Sequence, residues 1–148
     1  MTNQDSGLSL RHPQLKSLYR EWVKLCGEGT FPMAADLDPR DLRPWLDHLV
    51  VIRITADGRF VYGYYNPNYA EIFDGDRVGQ SLESLPEEQR RLLEAEYRQV
   101  QQERLPTSRI YTALFYGEEQ SWERLVLPFF TPKGRVEKML VGAYRLNQ

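Results

Sequence analysis

Two apolar segments near the end of the chain show the alternation that is typical of packed strands. They span Trp122–Thr131 and Val136–Tyr144, and both are rich in aromatic and branched residues. Between them, Pro132 favours an early turn position and Gly134 accepts a positive φ. The pattern therefore predicts a β-hairpin. Because both of its faces are largely apolar, we expect other elements to cover each of them.

The first part of the chain has a helical period instead. From His12-Pro13 to Cys26 apolar residues recur every three or four positions, and Gly27 follows as a helix stop. A second, short helix is predicted to begin at Asp38 and Pro39 and to run to about Leu46 or His48. We expect Asp36 and Asp38 to be structural residues, with Asp38 acting as the N-cap.

The middle of the chain alternates between the two patterns. Predicted in order are a strand at 49–54, a hairpin turn at 56–58, a strand at 59–65, short helical turns at 68–73, a long helix at 86–104 and a strand at 107–116. This order predicts an α+β domain. Its five strands form one antiparallel sheet with helices on one face, and the N-terminal amphipathic helix is left to cover the other.

Composition narrows the class of protein. The chain has 148 residues, a formal net charge of −2 and one cysteine, Cys26. This size suits a single domain with its own core, and the charge argues against electrostatic capture of nucleic acid. No stretch predicts a signal peptide or a bilayer span, so a reduced, cytoplasmic setting is the default expectation.

Several short motifs follow one another in an order that resembles PAS domains. They are Pro32, Asp36-Leu37-Asp38-Pro39, Leu42, Leu46, Arg59-Phe60-Val61-Tyr62, Gly79, Leu82, Tyr97, Glu123-Arg124-Leu125-Val126-Leu127-Pro128 and Gly142-Ala143. The chain resembles in particular a bacterial family of short, stand-alone PAS proteins. It departs from that family at Gly63 and at Asn66-Pro67, so ligand identity does not carry over.

The resemblance implies a non-enzymatic sensory or regulatory module that binds a small molecule, a signalling protein partner, or both. It divides the chain into an N-terminal helical extension, residues 1–46, and a PAS-like domain, residues 47–148. The alternative is a structural interaction adaptor with a filled core. A small enzyme of the cone-shaped α+β type is a third interpretation, but it requires a buried Asp/His pair that these strands do not offer.

In a PAS domain, seven aromatic residues of this chain would meet over the helical face of the sheet. They are Tyr62, Tyr64, Tyr69, Phe73, Tyr97, Tyr111 and Phe115. Apolar walls with a few hydroxyl groups are typical of ligand sites, so we predict a ligand pocket here, with a filled aromatic core as the alternative.

Arg124 interrupts an otherwise apolar strand and needs a partner, because an unpaired buried charge is very costly. We expect it to pair with Glu21, Asp36 or Asp38 and so tie the sheet to the N-terminal extension; an anion contact is the alternative. Its strand is expected to turn Trp122, Arg124 and Val126 towards that extension. Leu125, Leu127 and Phe129 would then face the ligand-side helices.

The apolar stripe of the first helix is a candidate interface. Leu15, Leu18, Tyr19 and Trp22 offer more apolar surface than one sheet face requires, so a homodimer through this helix is expected beside packing within the chain.

Other chemistries find little support in the sequence. The only histidines are His12 and His48, without ligand spacing, so no metal site is predicted, although His48 could serve as an axial haem ligand. Cys26 lies on the apolar stripe and is expected to be a structural thiol. The carboxylate pairs Asp36/Asp38 and Asp74/Asp76 are better explained as cap and turn residues, and no cofactor is assigned.

Overall fold

The computed structural model describes residues 8–27, 31–72 and 75–147, and its elements follow the predicted order. The helices are α1 (Pro13–Cys26), α2 (Pro67–Ile72) and α3 (Glu87–Glu103), with 3₁₀ segments at Ala34–Asp36, Pro39–His48 and Leu82–Ser84. The strands are β1 (Leu49–Ile54), β2 (Phe60–Tyr65), β3 (Thr107–Phe115), β4 (Glu118–Phe130) and β5 (Val136–Arg145). None of the described helices combines the length and apolar character that crossing a bilayer requires.

The strands form one sheet in the order β2-β1-β5-β4-β3. Every neighbouring pair is antiparallel, which confirms the predicted five-stranded α+β architecture. The final hairpin, β4–β5, occupies the centre of the sheet. The connection through α3 carries the chain from the β2 edge to the β3 edge, and α3 consequently crosses one sheet face.

The segment Pro39–His48 begins as predicted, because the Asp38 side chain accepts a hydrogen bond from the Arg40 backbone N–H at 3.0 Å. Its geometry is 3₁₀ rather than α. Pro44 inside the segment has no N–H to donate, and Leu42 departs from helical angles. Asp36 lies at the exposed end of the preceding 3₁₀ segment.

Each face of the sheet has its own apolar cluster. On one face Ile52 and Met139 pack with Tyr97 of α3. On the other, Val51 and Leu140 pack with the apolar stripe of α1. The prediction that the first helix covers the second face is therefore confirmed.

The predicted assignment of the two β4 faces is wrong. Leu125, Leu127 and Phe129 pack in the cluster that contains α1, whereas Trp122 and Val126 belong to the cluster on the α3 side. Alternation separates the two sets of residues correctly. It does not reveal which helix covers which set, because both faces of this strand are apolar.

The apolar stripe of α1 is buried within the chain. Leu15, Leu18, Tyr19 and Trp22 are at most 9% exposed, and the Trp22 indole N–H donates to the Pro128 carbonyl at 2.9 Å. At Gly142 a Cβ atom would lie 3.0 Å from Leu18 Cδ2, so any larger residue would require the side chains of α1 to shift. These side chains pack against the sheet within the chain, as was also expected, and the homodimer through this helix stays a prediction.

Glu123 fixes the start of α1 to the sheet. Its carboxylate, 1% exposed, accepts the backbone N–H of His12 at 2.7 Å and that of Arg11 at 2.8 and 3.1 Å. A carboxylate at a helix N-terminus is also favoured by the helix dipole. The tie between sheet and extension that was predicted for Arg124 is thus made by the residue next to it, which points to the opposite face.

Candidate functional site

A cavity of about 470 Å³ lies between α3 and the sheet. Its floor includes Val50, Val141 and Ala143, and its walls come from α3, β2, β3 and α2. This volume is in the usual range for small-molecule sites. The aromatic cluster therefore lines a cavity and is not a completely filled core.

A β-bulge in β2 decides which tyrosines reach the cavity. Tyr62 pairs with Ile52, but Tyr64 pairs with Val51, so Gly63 is an extra residue on this strand. The bulge turns Tyr65 into the cavity. Tyr64 packs on the opposite face with the α1 cluster, so its predicted place in the pocket is wrong.

Asn66, which follows β2 and is fully buried, sets the position of Tyr69. Its side-chain amide donates to the Leu49 carbonyl at 2.8 Å, and its oxygen accepts the Tyr69 backbone N–H at 2.8 Å. Tyr69 then lines the cavity while its hydroxyl donates to the Ala143 carbonyl of β5. The cavity wall is thereby bonded directly to the centre of the sheet.

Of the predicted pocket residues, five line the cavity together: Tyr62, Tyr69, Tyr97, Tyr111 and Phe115. Phe73 lies outside the described residues. That these side chains bind a ligand stays a prediction. The structure adds Tyr65, Trp122, Gln89 and three arginines, Arg77, Arg109 and Arg124, to the lining.

Arg124 points into this cavity, not towards the extension. One of its terminal nitrogens, Nη2, donates to Glu96 Oε1 at 2.7 Å and to the Tyr97 hydroxyl at 3.0 Å. Glu21, Asp36 and Asp38 are therefore not its partners, and the predicted tie is wrong. The physical reason is that α3, and not the extension, covers the sheet face that Arg124 shares with Trp122 and Val126.

Glu96 joins two arginines that would otherwise repel each other. Arg109 and Arg124 are direct partners in the β3–β4 register, an arrangement of like charges that destabilises a sheet. The other oxygen of Glu96 accepts from Arg109 Nε at 3.1 Å. The result is a partly buried cluster of two guanidinium groups around one carboxylate, with one positive charge in excess.

The protonation states follow from this geometry. Burial raises the pKa of Glu96, but Arg124 and Arg109 outweigh it and hold this pKa below its ordinary value. Burial likewise opposes the charge of Arg124, while Tyr97 and Glu96 keep its pKa above the ordinary value. Burial raises the pKa of Tyr62 and Tyr69 well above 10, so both keep their hydroxyl protons. At neutral pH the cavity therefore offers charged guanidinium and neutral phenol groups.

The sequence held a signal for Arg109 that the prediction missed. Tyr111 and Phe115 were expected to face the pocket, and Arg109 lies an even number of positions from both, so it is on the same face of β3. Arg77 carries no such signal, because it lies in an irregular stretch between α2 and the segment Leu82–Ser84.

Residues 8–27, 31–72 and 75–147 contain no group of three His, Cys, Asp or Glu side chains close enough together to bind a metal ion. His48 stacks on Tyr144 with ring centroids 3.9 Å apart. It is not part of the cavity lining.

The family comparison supports the fold. The family model described as the PAS fold matches residues 46–146, about two thirds of the chain. The chain belongs to the PAS fold family. In this PAS protein the matched region contains all five strands, α2, α3 and the cavity between them. PAS domains are sensory and signalling modules as a family.

Solved structures agree with the assignment at low sequence identity. The PAS domain of BvgS from Bordetella pertussis has a TM-score of 0.57 and 14% identity, with 90% of this chain and 88% of that one covered. A sensory box sensor histidine kinase from Vibrio cholerae has a TM-score of 0.56 and 15% identity, over 91% and 98% of the two chains. At such identities the likeness is one of fold. A search of curated proteins found no match to this PAS chain.

Proposed function

We propose that this protein is a non-enzymatic sensory module of bacterial signalling, which binds a small molecule in the cavity between α3 and the sheet. The observation that carries the proposal is the cavity itself. About 470 Å³ is kept open beside charged arginines and tyrosine hydroxyls. An open volume with convergent polar groups is the usual form of a ligand site, whereas an adaptor with a filled core would not need it.

Binding fits the cavity better than catalysis does. Glu96 is held by two arginines with a lowered pKa, so it is poorly suited to exchange protons near neutral pH. Cys26 belongs to the α1 cluster on the other sheet face, and burial raises the pKa of its thiol, which disfavours the nucleophilic thiolate.

A route for the signal runs through the sheet. Tyr69 in the cavity wall is bonded to Ala143 on β5, and the neighbouring strand β4 holds the start of α1 through Glu123. A ligand with unequal affinity for two arrangements of the wall would change how firmly α1 is held. We propose that a signalling protein partner in the cytoplasm reads this change.

The test combines native mass spectrometry of the purified protein with a thermal-shift screen of a chemically diverse library. We expect either a co-purified small molecule or a set of compounds that raise the melting temperature. Replacing Ala143 by Leu should fill part of the cavity and abolish both signals. Ala95→Leu, on the exposed side of α3, is the matched control.

The proposal fails if no compound of any charge binds and no partner is captured. It also fails if Ala143→Leu leaves binding unchanged, because a ligand would then lie elsewhere.

A further inference from the structure

We infer that the ligand of this cavity is an aromatic carboxylic acid, whose carboxylate is held by Arg109 and Arg124. The inference rests on the function proposed above, since it names the chemical class of ligand for the same cavity. Three features carry it: the excess charge, an unsatisfied guanidinium group and the aromatic walls.

The charge of the cluster is incomplete without an anion. Among the described residues Glu96 is the only carboxylate paired with Arg109 or Arg124, and Arg77 adds a further positive charge to the cavity lining. Unpaired charge is costly where it is shielded from water, as at Arg124 with 14% of its side chain exposed, and less costly at Arg109 with 36% exposed. A monocarboxylate supplies the single negative charge that the inner cluster lacks.

Arg124 has a donor that nothing in the described chain uses. Its Nε atom is buried and finds no hydrogen-bond partner among the described residues, while Nη2 serves both Glu96 and Tyr97. Leaving a buried donor unpaired costs more than a typical hydrogen bond contributes, and because protein atoms enclose Nε, a ligand oxygen reaches it only after a shift of the Arg124 side chain. Guanidinium groups present several donors in a planar fork that matches the two oxygens of a carboxylate, which favours this class of anion.

The remaining lining suits a flat, apolar body. Tyr65, Tyr111, Phe115 and Trp122 contribute ring surfaces, with Phe115 and Trp122 packed at 6.3 Å between ring centroids. Aromatic rings favour stacked or edge contacts with other rings. An acid with a single ring or two fused rings would place its carboxylate at Arg109 and Arg124 and its rings along these walls.

Isothermal titration calorimetry of the full chain with matched pairs of compounds tests the inference. Suitable probes are indole-3-carboxylate with indole-3-carboxamide, and 4-hydroxybenzoate with 4-hydroxybenzamide. Each pair differs in charge but little in shape. We expect at least one acid to bind roughly tenfold or more tightly than its amide, as one charge-assisted contact would give.

Arg109→Gln is the decisive variant. Arg109 is 36% exposed and its loss leaves the Arg124–Glu96 pair intact, so the fold should persist. Acid affinity should fall roughly tenfold while amide affinity stays the same. Arg91→Gln removes an equally charged side chain from the exposed face of α3, outside the cavity, and should leave both affinities unchanged.

The Glu96→Gln variant should change the affinity for the acid in the opposite direction. Removing the internal carboxylate should free Arg124 Nη2 and raise the positive charge, so the acid should bind several-fold more tightly. Unchanged or weaker acid binding in a folded Glu96→Gln variant counts against the inference.

The outcomes separate the two proposals. Equal affinity for acid and amide overturns the carboxylate assignment but leaves a sensory cavity in place. Tighter binding of phenyl phosphate than of either acid overturns it in favour of a phosphate ligand. If neither acids nor amides bind, and the thermal-shift screen also finds no binding compound, both proposals fail.

Discussion

Removing the Glu123 carboxylate should loosen the N-terminal helix from the sheet. This buried group accepts the backbone N–H groups of Arg11 and His12 at 2.7 to 3.1 Å. Hydrogen bonds to a charged group contribute roughly 1.5–3 kcal/mol each, and part of that is regained because water can reach this end of the helix. We therefore expect Glu123→Ala to cost about 3 kcal/mol and to lower the melting temperature by roughly 6 to 12 °C.

Urea unfolding measures the free energy of unfolding, and hydrogen exchange locates the change. Amide protection should fall first in α1 and least in α3, because α3 lies on the other sheet face. Glu123→Gln keeps one acceptor oxygen and should lose about 1 kcal/mol. The control is Glu137→Gln, at an exposed position on β5, which should change neither quantity.

The reasoning is refuted if Glu123→Ala unfolds at the same urea concentration as the original chain. It is equally refuted if α1 protection is unaffected, because the carboxylate would then not be what holds the start of the helix.

Three further predictions concern single contacts. Tyr69→Phe removes the hydroxyl bond to the Ala143 carbonyl and should cost about 1 kcal/mol in urea unfolding, so an unchanged midpoint would show that this bond is energetically neutral. Folding lowers the pKa of Glu96, so the stabilisation from its ionised form is fully present above its unfolded pKa of roughly 4.3 and is lost as the pH falls through the folded value. Between pH 7 and pH 3 the melting temperature should therefore drop less steeply in the Glu96→Gln variant than in the original chain. Gly142→Ala places a methyl group 3.0 Å from Leu18 Cδ2 and should cost about 1–2 kcal/mol by chemical denaturation, whereas a stability gain would mean that α1 shifts freely.

Local patterns were sufficient to locate most elements. The apolar period and the flanking Pro13 and Gly27 predicted α1 closely, and Asp38 marked the start of its segment by a side-chain bond that a sequence can reveal. Turn chemistry at Pro132 and Gly134 likewise located the final hairpin. These features depend on neighbours within a few positions, so they can be seen without a tertiary structure.

The pocket was only partly predictable, because its lining depends on register. Strict alternation placed Tyr64 beside Tyr62, but the extra residue Gly63 moves Tyr64 to the other face and brings Tyr65 in. Which residue of a strand is bulged depends on its pairing partner, here Val51 and Ile52 of β1.

The sequence alone determined the α+β class, the order of the elements and the likeness to PAS domains, since these follow from periodicity, caps, turns and motif order. Only the tertiary structure decided that Arg124 meets Glu96, 28 positions away, and that Glu123 holds α1. The physical reason is that alternation divides a strand into two faces without saying what covers either of them. When both faces are apolar, the path of the chain across the sheet makes that choice, and here it places the charged cluster in the cavity.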